Sequence, residues 1–430
     1  MKVAVVGTGY VGLVSGACLA DLGHEVTCID TDAEKIAKLE AGIMPIFEQG
    51  LEEVVKRNAK AGRIRFTTDF SLGVPGAEVV SVAVGTPSAD DGSVDMKYVD
   101  AAAAEIGKNL SAYAVIANKS TVPVGTAERV TNIIRQHTEQ EFDVVSNPEF
   151  LREGTAVFDF SKPTRIIIGT DSERAREVMR KLYAHISCQK IETDAVSAEL
   201  TKYACNTFLA TKISFINEVA HLSEAVGADV EAVAAGMGSD PRIGKEFLKA
   251  GPGWGGGCFP KDVRAFLKLG EAHGHAMPLT NAAMAMNKLA RSRIVDRLER
   301  ELGSLTGKKI GVLGVAFKGN TDDTRESPAL DIINECLRRG AVVAVYDPQA
   351  RFGDGAVAQV DSLFEAARDA EALVIATEWE EFRTLDLDKM KQTMAGDLIM
   401  DARNLLDADA AERSGFTYLR VGRKEKRKGI

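Results

Sequence analysis

The stretch Gly251-Pro-Gly-Trp-Gly-Gly-Gly-Cys258-Phe-Pro-Lys-Asp262 sets one thiol in a loop with five glycines, directly before a segment that reads as a helix with Pro260 in its first turn. At such a helix start the dipole, helped by the Lys261 cation, favours the thiolate, which is the nucleophilic form. The glycines make room for a substrate beside it. Cys18, Cys28, Cys205 and Cys336 fall in apolar strand or helix patterns and read as small core residues, and Cys188 lies near a strand start. No C-x-x-C pair or histidine cluster accompanies any of them, so neither a metal site nor a disulfide framework is expected. A cysteine hydrolase needs a histidine base, and none of the six histidines stands in a motif-like context.

A second pattern supplies the missing partner for the thiol. Gly7-Thr-Gly9-Tyr-Val-Gly12 follows an apolar run and opens a helical segment, with Asp30 at the end of the next apolar run. In that context the three glycines fit a dinucleotide: Gly7 for the tight turn, Gly9 for backbone approach to a pyrophosphate, Gly12 for close helix packing. Asp30 accepts from ribose hydroxyls and repels a 2′-phosphate, which favours NAD over NADP, although Lys35 works against that preference. A nucleotide fold with a poised thiol points to aldehyde oxidation through a covalent thiohemiacetal and thioester. Lys202 and Asn206, four apart on a helix, share one face and suit a developing oxyanion; an exposed, solvated pair is the plainer alternative. Asn147-Pro-Glu149-Phe-Leu-Arg-Glu153 and Lys119-Ser-Thr121 each follow a strand, where open α/β sheets bind ligands.

These residues need elements to hold them. Lys2-Val-Ala-Val-Val-Gly7 is echoed by Lys309-Ile-Gly-Val-Leu-Gly314, and Val26–Asp30 by Val342–Asp347. Further strands are expected at Glu78–Val84, Ala114–Asn118, Asp143–Ser146, Arg165–Gly169, Ala372–Ala376 and Leu398–Asp401. Between the two sets, Asp194–Val226 lacks Pro and Gly and reads as one long helix, followed by helices at Val230–Ala235, Asp262–His273 and Pro278–Leu302. The fold class is therefore α/β, two Rossmann-like parallel-sheet domains joined by a helical region with a long central helix. The expected division is 1–195 for NAD, 196–300 helical, and 301–430 for the second nucleotide unit. A length of 430 residues is consistent with about three domains.

Composition closes off other classes. Hydrophobic residues at 45% and charged residues at 27% exclude a disordered or fibrous chain. A formal charge of −9 argues against nucleic acid as partner, and the terminal basic run of Arg420, Arg423, Lys424, Lys426, Arg427 and Lys428 reads as a solvated tail. The uncharged run Val3–Ala20 is punctuated by Gly7, Gly9, Gly12 and Gly16 as strand then helix, unlike a secretory segment or a membrane span. Reduced thiols fit the cytoplasm.

With these residues in hand, the sequence resembles the nucleotide-sugar 6-dehydrogenase family, the UDP-glucose/GDP-mannose dehydrogenases. The likeness rests on Gly7–Gly12, Gly85-Thr-Pro87, Lys119-Ser-Thr121-Val-Pro, Asn147–Gly154, Gly256-Gly-Cys258-Phe-Pro-Lys-Asp262, Gly314-Val-Ala-Phe-Lys318 and Asp322-Asp-Thr-Arg325-Glu-Ser. It implies four-electron oxidation of a sugar C6 alcohol to the acid, with two NAD reduced. Cys258 is then the nucleophile, Lys202 and Asn206 stabilise the oxygen, and Asp262 and Thr121 position the water, with Glu149 assisting at the thioester. Implied cofactor contacts are Val11, Asp30, Lys35, Thr86, Thr121, Glu153, Lys261 and Arg325. Implied sugar-nucleotide contacts are Glu149, Phe150, Leu151, Arg152, Glu153, Lys202, Asn206, Phe247, Leu248, Lys249, Ala250, Gly251, Gly255 and Lys318, with Arg403 weaker and Arg242 reaching a partner subunit of a homodimer built on the long helix. Gly257 and Gly85 depart from the family's usual serine and asparagine. Phe259 after the cysteine suits UDP-glucose, with GDP-mannose, UDP-N-acetylmannosamine or a silent NAD-sensing protein as alternatives.

Overall fold

The computed structural model describes residues 1–351 and 357–424, so Lys426, Arg427 and Lys428 of the basic run lie outside the described residues. Eight strands form the first sheet: β1 Lys2–Val6, β2 Glu25–Ile29, β3 Ile64–Thr67, β4 Val79–Val82, β5 Ala114–Asn118, β6 Phe142–Ser146, β7 Arg165–Gly169 and β8 Gln189–Thr193. Their order is β3-β2-β1-β4-β5-β6-β7-β8. Strands such as Ala-Val-Ile-Ala-Asn in β5, buried at every position, run continuously apolar because both faces are covered. One side packs Val3, Val5, Val115 and Ala117, the other Ala4, Val6, Ala114 and Ile116, as the two-residue period of a strand requires. Pairing is parallel except between β6 and β7, which meet antiparallel at Ser146 and Gly169.

Six strands form the second sheet: β9 Lys309–Leu313, β10 Val342–Tyr346, β11 Ala358–Gln359, β12 Ala372–Ile375, β13 Leu398–Asp401 and β14 Thr417–Arg420. Its order, β11-β10-β9-β12-β13-β14, repeats the arrangement of the first six strands, with the earliest strand at the centre. In both sheets the chain reverses direction of travel beside that strand, and doubly wound sheets bind ligands at the carboxyl ends there.

The long helix runs Ala195–Val226 over 32 residues, one residue short of the expected start. Helices Val230–Gly238, Phe259–Ala272 and Pro278–Leu302 follow. By contacts the chain forms two compact units, Met1–Cys205 with Arg264–Gly274, and Asn206–Val263 with the chain from His275 onward. The uncharged run near the start is β1 and the helix Tyr10–Asp21, with Leu13, Val14, Ala17 and Leu19 in the core. Among the described residues no helix is long and apolar enough to cross a membrane.

Candidate active site

In the first unit the glycine turn has the geometry its spacing implies, and each glycine is required for a different reason. Gly7 has φ 97°, in the left-handed region, and a Cβ there would lie 2.5 Å from the Ala83 carbonyl oxygen. A Cβ on Gly12 would lie 1.9 Å from the Gly7 carbonyl oxygen, so only glycine lets the helix start this close to β1. A Cβ on Gly9 would meet nothing within 4 Å. That open approach at a helix start, with no side-chain cap on the first turn, is where a pyrophosphate fits.

Asp30 closes the turn. Its Oδ2 accepts from the Thr8 N–H at 2.8 Å, the Thr8 hydroxyl at 2.7 Å and the Lys35 ammonium at 3.0 Å, while Oδ1 accepts from the Asp32 N–H at 3.1 Å. Burial pushes its pKa up, but the donors from Thr8, Asp32 and Lys35 outweigh it and hold the carboxyl below the usual range. An ionised Asp30 with room left on Oδ1 suits a ribose hydroxyl. The side-chain amide of Asn118, 2% exposed at the carboxyl end of β5, makes no hydrogen bond and adds polar capacity at the ligand-binding end of the sheet. These residues fit a dinucleotide.

A second cluster lies in the same unit. Lys202 and Glu149 are buried, their side chains 5% and 7% exposed, and pair at 3.1 Å. This excludes the exposed alternative for Lys202. Phe150 meets two cations: the Lys202 ammonium is 5.2 Å from its ring centre and the Arg165 guanidinium 3.8 Å. Arg165 has no signal in the sequence beyond its place at the start of β7. It also donates to the Cys205 thiol at 3.4 Å, so Cys205 is half-buried and hydrogen-bonded, whereas the sequence pattern implied a core position. Arg152 is largely exposed and forks onto Asp159. Glu48, buried and unremarkable in sequence, accepts from the Gly154 and Ala156 N–H groups at 2.7 and 2.8 Å and from the Tyr10 hydroxyl. Burial and that carboxylate push the Tyr10 pKa up, and the Gly154 N–H, which also donates to the Tyr10 hydroxyl at 3.2 Å, ties the phosphate turn to the segment after Glu153. Thr121 and Thr86 stand in the loops after β5 and β4, with Val11 and Glu153 half-buried nearby in sequence to these motifs.

In the second unit Cys258 is exposed, and its carbonyl accepts from the Asp262 N–H at 2.9 Å, so it occupies the cap position of the helix Phe259–Ala272. Among the six thiols it alone is exposed, while burial pushes those of Cys18, Cys28 and Cys336 up to about 12. Asp262, 1% exposed, accepts from Asn206 Nδ2 at 2.6 Å and from the Lys261 ammonium at 2.6 Å. Asn206 is likewise buried, so neither residue of the helical pair is a solvated one.

The glycines before Cys258 let the loop pack closely. A Cβ on Gly253 would meet Asn287 Oδ1 at 2.3 Å, on Gly255 the Glu326 carbonyl oxygen at 2.2 Å, on Gly256 the Phe317 ring at 2.8 Å, and on Gly257 the Arg325 guanidinium at 2.4 Å. They let the loop seat against its own chain, which fixes the thiol. Gly251 donates its N–H to Asn217 Oδ1 at 2.8 Å, and Phe247, with φ 63°, sets its ring 6.2 Å from that of Phe259. Leu248, next in the chain after Phe247, is buried. Arg325 forks onto Asp323, Lys318 lies 5.5 Å from the Phe317 ring, and Arg242 is exposed on Asp240. Arg403 donates to the Ala376 and Phe317 carbonyls at 2.8 Å each. Asp347, which ends the second unit's counterpart of β2, is 1% exposed and accepts from five donors: the N–H groups of Val315, Ala316, Gln349 and Ala350 and the Trp379 indole. Among the described residues no group of acidic, histidine and cysteine side chains could hold a metal ion.

A doubly wound sheet with a dinucleotide turn and a second sheet of the same order are the architecture of an NAD-dependent dehydrogenase. Residues 1–187 match the NAD binding domain of the UDP-glucose/GDP-mannose dehydrogenase family, 196–289 its central domain, and 311–408 its UDP binding domain. The chain belongs to that family. It is 47% identical over 440 residues to a UDP-glucose 6-dehydrogenase of Rhizobium meliloti (strain 1021), covering 99% of this chain and 100% of the relative. It is 45% identical to a UDP-glucose 6-dehydrogenase of Bacillus subtilis (strain 168), over 98% of this chain and 93% of the relative. A solved UDP-glucose dehydrogenase from Pyrobaculum islandicum superposes with a TM-score of 0.92 at 39% identity, covering 98% of this chain and 97% of that one.

Proposed function

We propose that this chain oxidises UDP-glucose at C6 to UDP-glucuronate, consuming two NAD and one water per sugar, with Cys258 as the covalent nucleophile. The observation that carries the substrate is 47% identity along the whole chain to a relative of that activity. Bound NAD, held by the Gly7–Gly12 turn and Asp30, supplies the hydride acceptor for both oxidations. Val11, Lys35, Thr86, Thr121, Glu153, Lys261 and Arg325 complete its contacts. The first oxidation converts the C6 alcohol to an aldehyde. The Cys258 thiolate then forms a C–S bond to C6, and Lys202 and Asn206 stabilise the oxygen that becomes anionic. The second oxidation leaves a thioester, which water cleaves to the carboxylate and the free thiol. Asp262 and Thr121 position that water, and Glu149, already paired with Lys202, assists. The sugar nucleotide is held by residues 149–153 and 247–251 with Gly255, Lys318 and Arg403.

The working division is 1–195 for NAD, 196–300 for assembly, and 301–430 for UDP. Phe208, Phe215 and Leu222 are exposed along the long helix, at 65%, 48% and 63%, which supports a homodimer on that face with Arg242 reaching the partner. A cytoplasmic location suits the free thiols and the cofactor. Purified protein with NAD and UDP-glucose is expected to form two NADH per sugar by absorbance at 340 nm. Turnover of GDP-mannose with none of UDP-glucose overturns the substrate. Cys258→Ser is expected to release no UDP-glucuronate, and wild-type yield from it overturns the covalent route.

A further inference from the structure

The helix Thr126–Arg135 starts without a cap of its own: Gly125 stands at its N-cap with φ 92° and no side-chain hydrogen bond. The acceptor comes instead from Glu199 near the start of the long helix. Glu199 is 3% exposed; its Oε2 accepts from the Gly125 N–H at 2.7 Å, and its Oε1 from the Ala127 N–H at 2.9 Å and the Ser146 hydroxyl at 2.9 Å. The long helix does not need this carboxylate for itself, because Asp194 already accepts from the Ser197 N–H at its start. Capping alone does not account for it either. A serine or asparagine beside the helix caps one without burying a charge, and here burial pushes the Glu199 pKa up even against its donors.

What sets Glu199 apart is where its three contacts fall. Gly125 and Ala127 close the loop that leaves β5 and carries Thr121. Ser146 ends β6, three residues before Glu149. Glu199 itself is three residues before Lys202, on the same side of the helix. One carboxylate thus sits on one, and touches the other two, of the three elements that carry the first unit's proposed catalytic groups, two of which, Lys202 and Glu149, also pair directly.

We propose that Glu199 is a positioning residue that holds Thr121, Glu149 and Lys202 in one frame. This rests on the roles assigned to those three residues above. Glutamine at 199 keeps the size but has one acceptor oxygen where two are in use, so either Gly125 or Ala127 loses its partner. Displacement of a catalytic group by about 1 Å costs on the order of a hundredfold in rate.

The test compares full-length Glu199→Gln with Ser172→Ala, which removes the cap of the Glu173–Leu182 helix and that hydroxyl's bond to Asp143, at the opposite end of β6 from Glu149. Three quantities are measured on each: amide hydrogen exchange, kcat and KM with NAD and UDP-glucose, and the NAD dissociation constant. Glu199→Gln is expected to exchange at least about tenfold faster at 125–127, with kcat down about 10- to 100-fold and NAD affinity within about threefold. Ser172→Ala is expected to lower the melting temperature and leave kcat unchanged. Retained protection in Glu199→Gln, or lost protection with kcat within twofold of wild type, overturns the proposal. If wild type itself fails to turn over UDP-glucose, the functional reading fails separately. Exchange then decides: loss of protection in both 119–127 and 144–149 supports the shared frame, and loss at 125–127 alone overturns it.

Discussion

Two of the three glycines of the phosphate turn, Gly9 and Gly12, predict opposite outcomes for one and the same substitution. Gly9 has φ −69° and ψ −168°, a conformation open to alanine, and its Cβ would touch no protein atom within 4 Å. Gly9→Ala therefore leaves the fold intact and, by restricting the unfolded chain, stabilises it by about 0.4–1 kcal/mol, roughly 1–4 °C. The methyl group occupies the space through which the pyrophosphate approaches. An overpacking cost of about 1–3 kcal/mol in the complex alone weakens NAD roughly 5- to 150-fold. Gly12→Ala is different, since its methyl would sit 1.9 Å from the Gly7 carbonyl oxygen and 3.2 Å from the Ala83 methyl. Reaching ordinary contact takes a shift of more than about 1 Å at the helix start, so the apo protein itself loses about 1–3 kcal/mol and melts several degrees lower. NADH fluorescence titration gives the affinity and calorimetry the melting temperature. Unchanged NAD affinity in Gly9→Ala, or a wild-type melting temperature in Gly12→Ala, would refute the reasoning.

Other outcomes follow from single contacts. Lys202→Met leaves Glu149 buried without its cation and is expected to cost about 3–5 kcal/mol in denaturant unfolding, with part recovered by adding Glu149→Gln; a simple sum of the two losses refutes the pairing. Gly257→Ser places a Cβ 2.4 Å from an Arg325 guanidinium whose side chain is 66% exposed and can swing aside. Stability is expected to stay within about 0.5 kcal/mol while the KM for NAD moves, and an unchanged KM separates Arg325 from the cofactor. Burial, then Arg293, with Glu224 opposing and Arg297 adding, pulls the His221 pKa down to about 4. Because the folded value lies below the unfolded one near 6.5, stability is full above about pH 6.5 and falls as pH drops toward 4. Discounted for partial exposure, the loss is about 1–2 kcal/mol, and His221→Gln is expected to flatten that slope in urea midpoints measured against pH.

The parts of the fold that were legible are those whose burial is symmetric. β5, β7, β13 and the helix Pro278–Leu302 fall on the expected residues, since continuous apolar runs and a proline at the helix start leave little choice. The strands that escaped notice, β3 and β14, carry the charged residues Arg65 and Arg420, β11 is only two residues long, and β8, sensed only as a strand start near Cys188, carries Lys190 and Glu192. They lie at or near sheet ends, where one side faces water and the pattern loses contrast. The dinucleotide turn was readable because its glycines answer local constraints within six residues. Arg165, Glu48 and Glu199 were not, because each acts on partners far along the chain and none belongs to a motif. The glycines before Cys258 stood out, but their packing against Asn287, Glu326, Phe317 and Arg325 did not: sequence shows where a side chain is missing but not what fills the space.

Asp30 and Asp347 occupy the same position in two sheets of the same order, and their surroundings have diverged. Asp347 is enclosed by five donors and sealed by an indole, whereas Asp30 keeps one oxygen lightly engaged. A chain that handles two kinds of nucleotide on duplicate scaffolds has to keep either cofactor from settling in the wrong copy. Saturating the acid in one copy removes the ribose-sensing element without disturbing the backbone around it. Selectivity between the halves is then written less in which residue stands at the strand end than in how completely its neighbours have satisfied it.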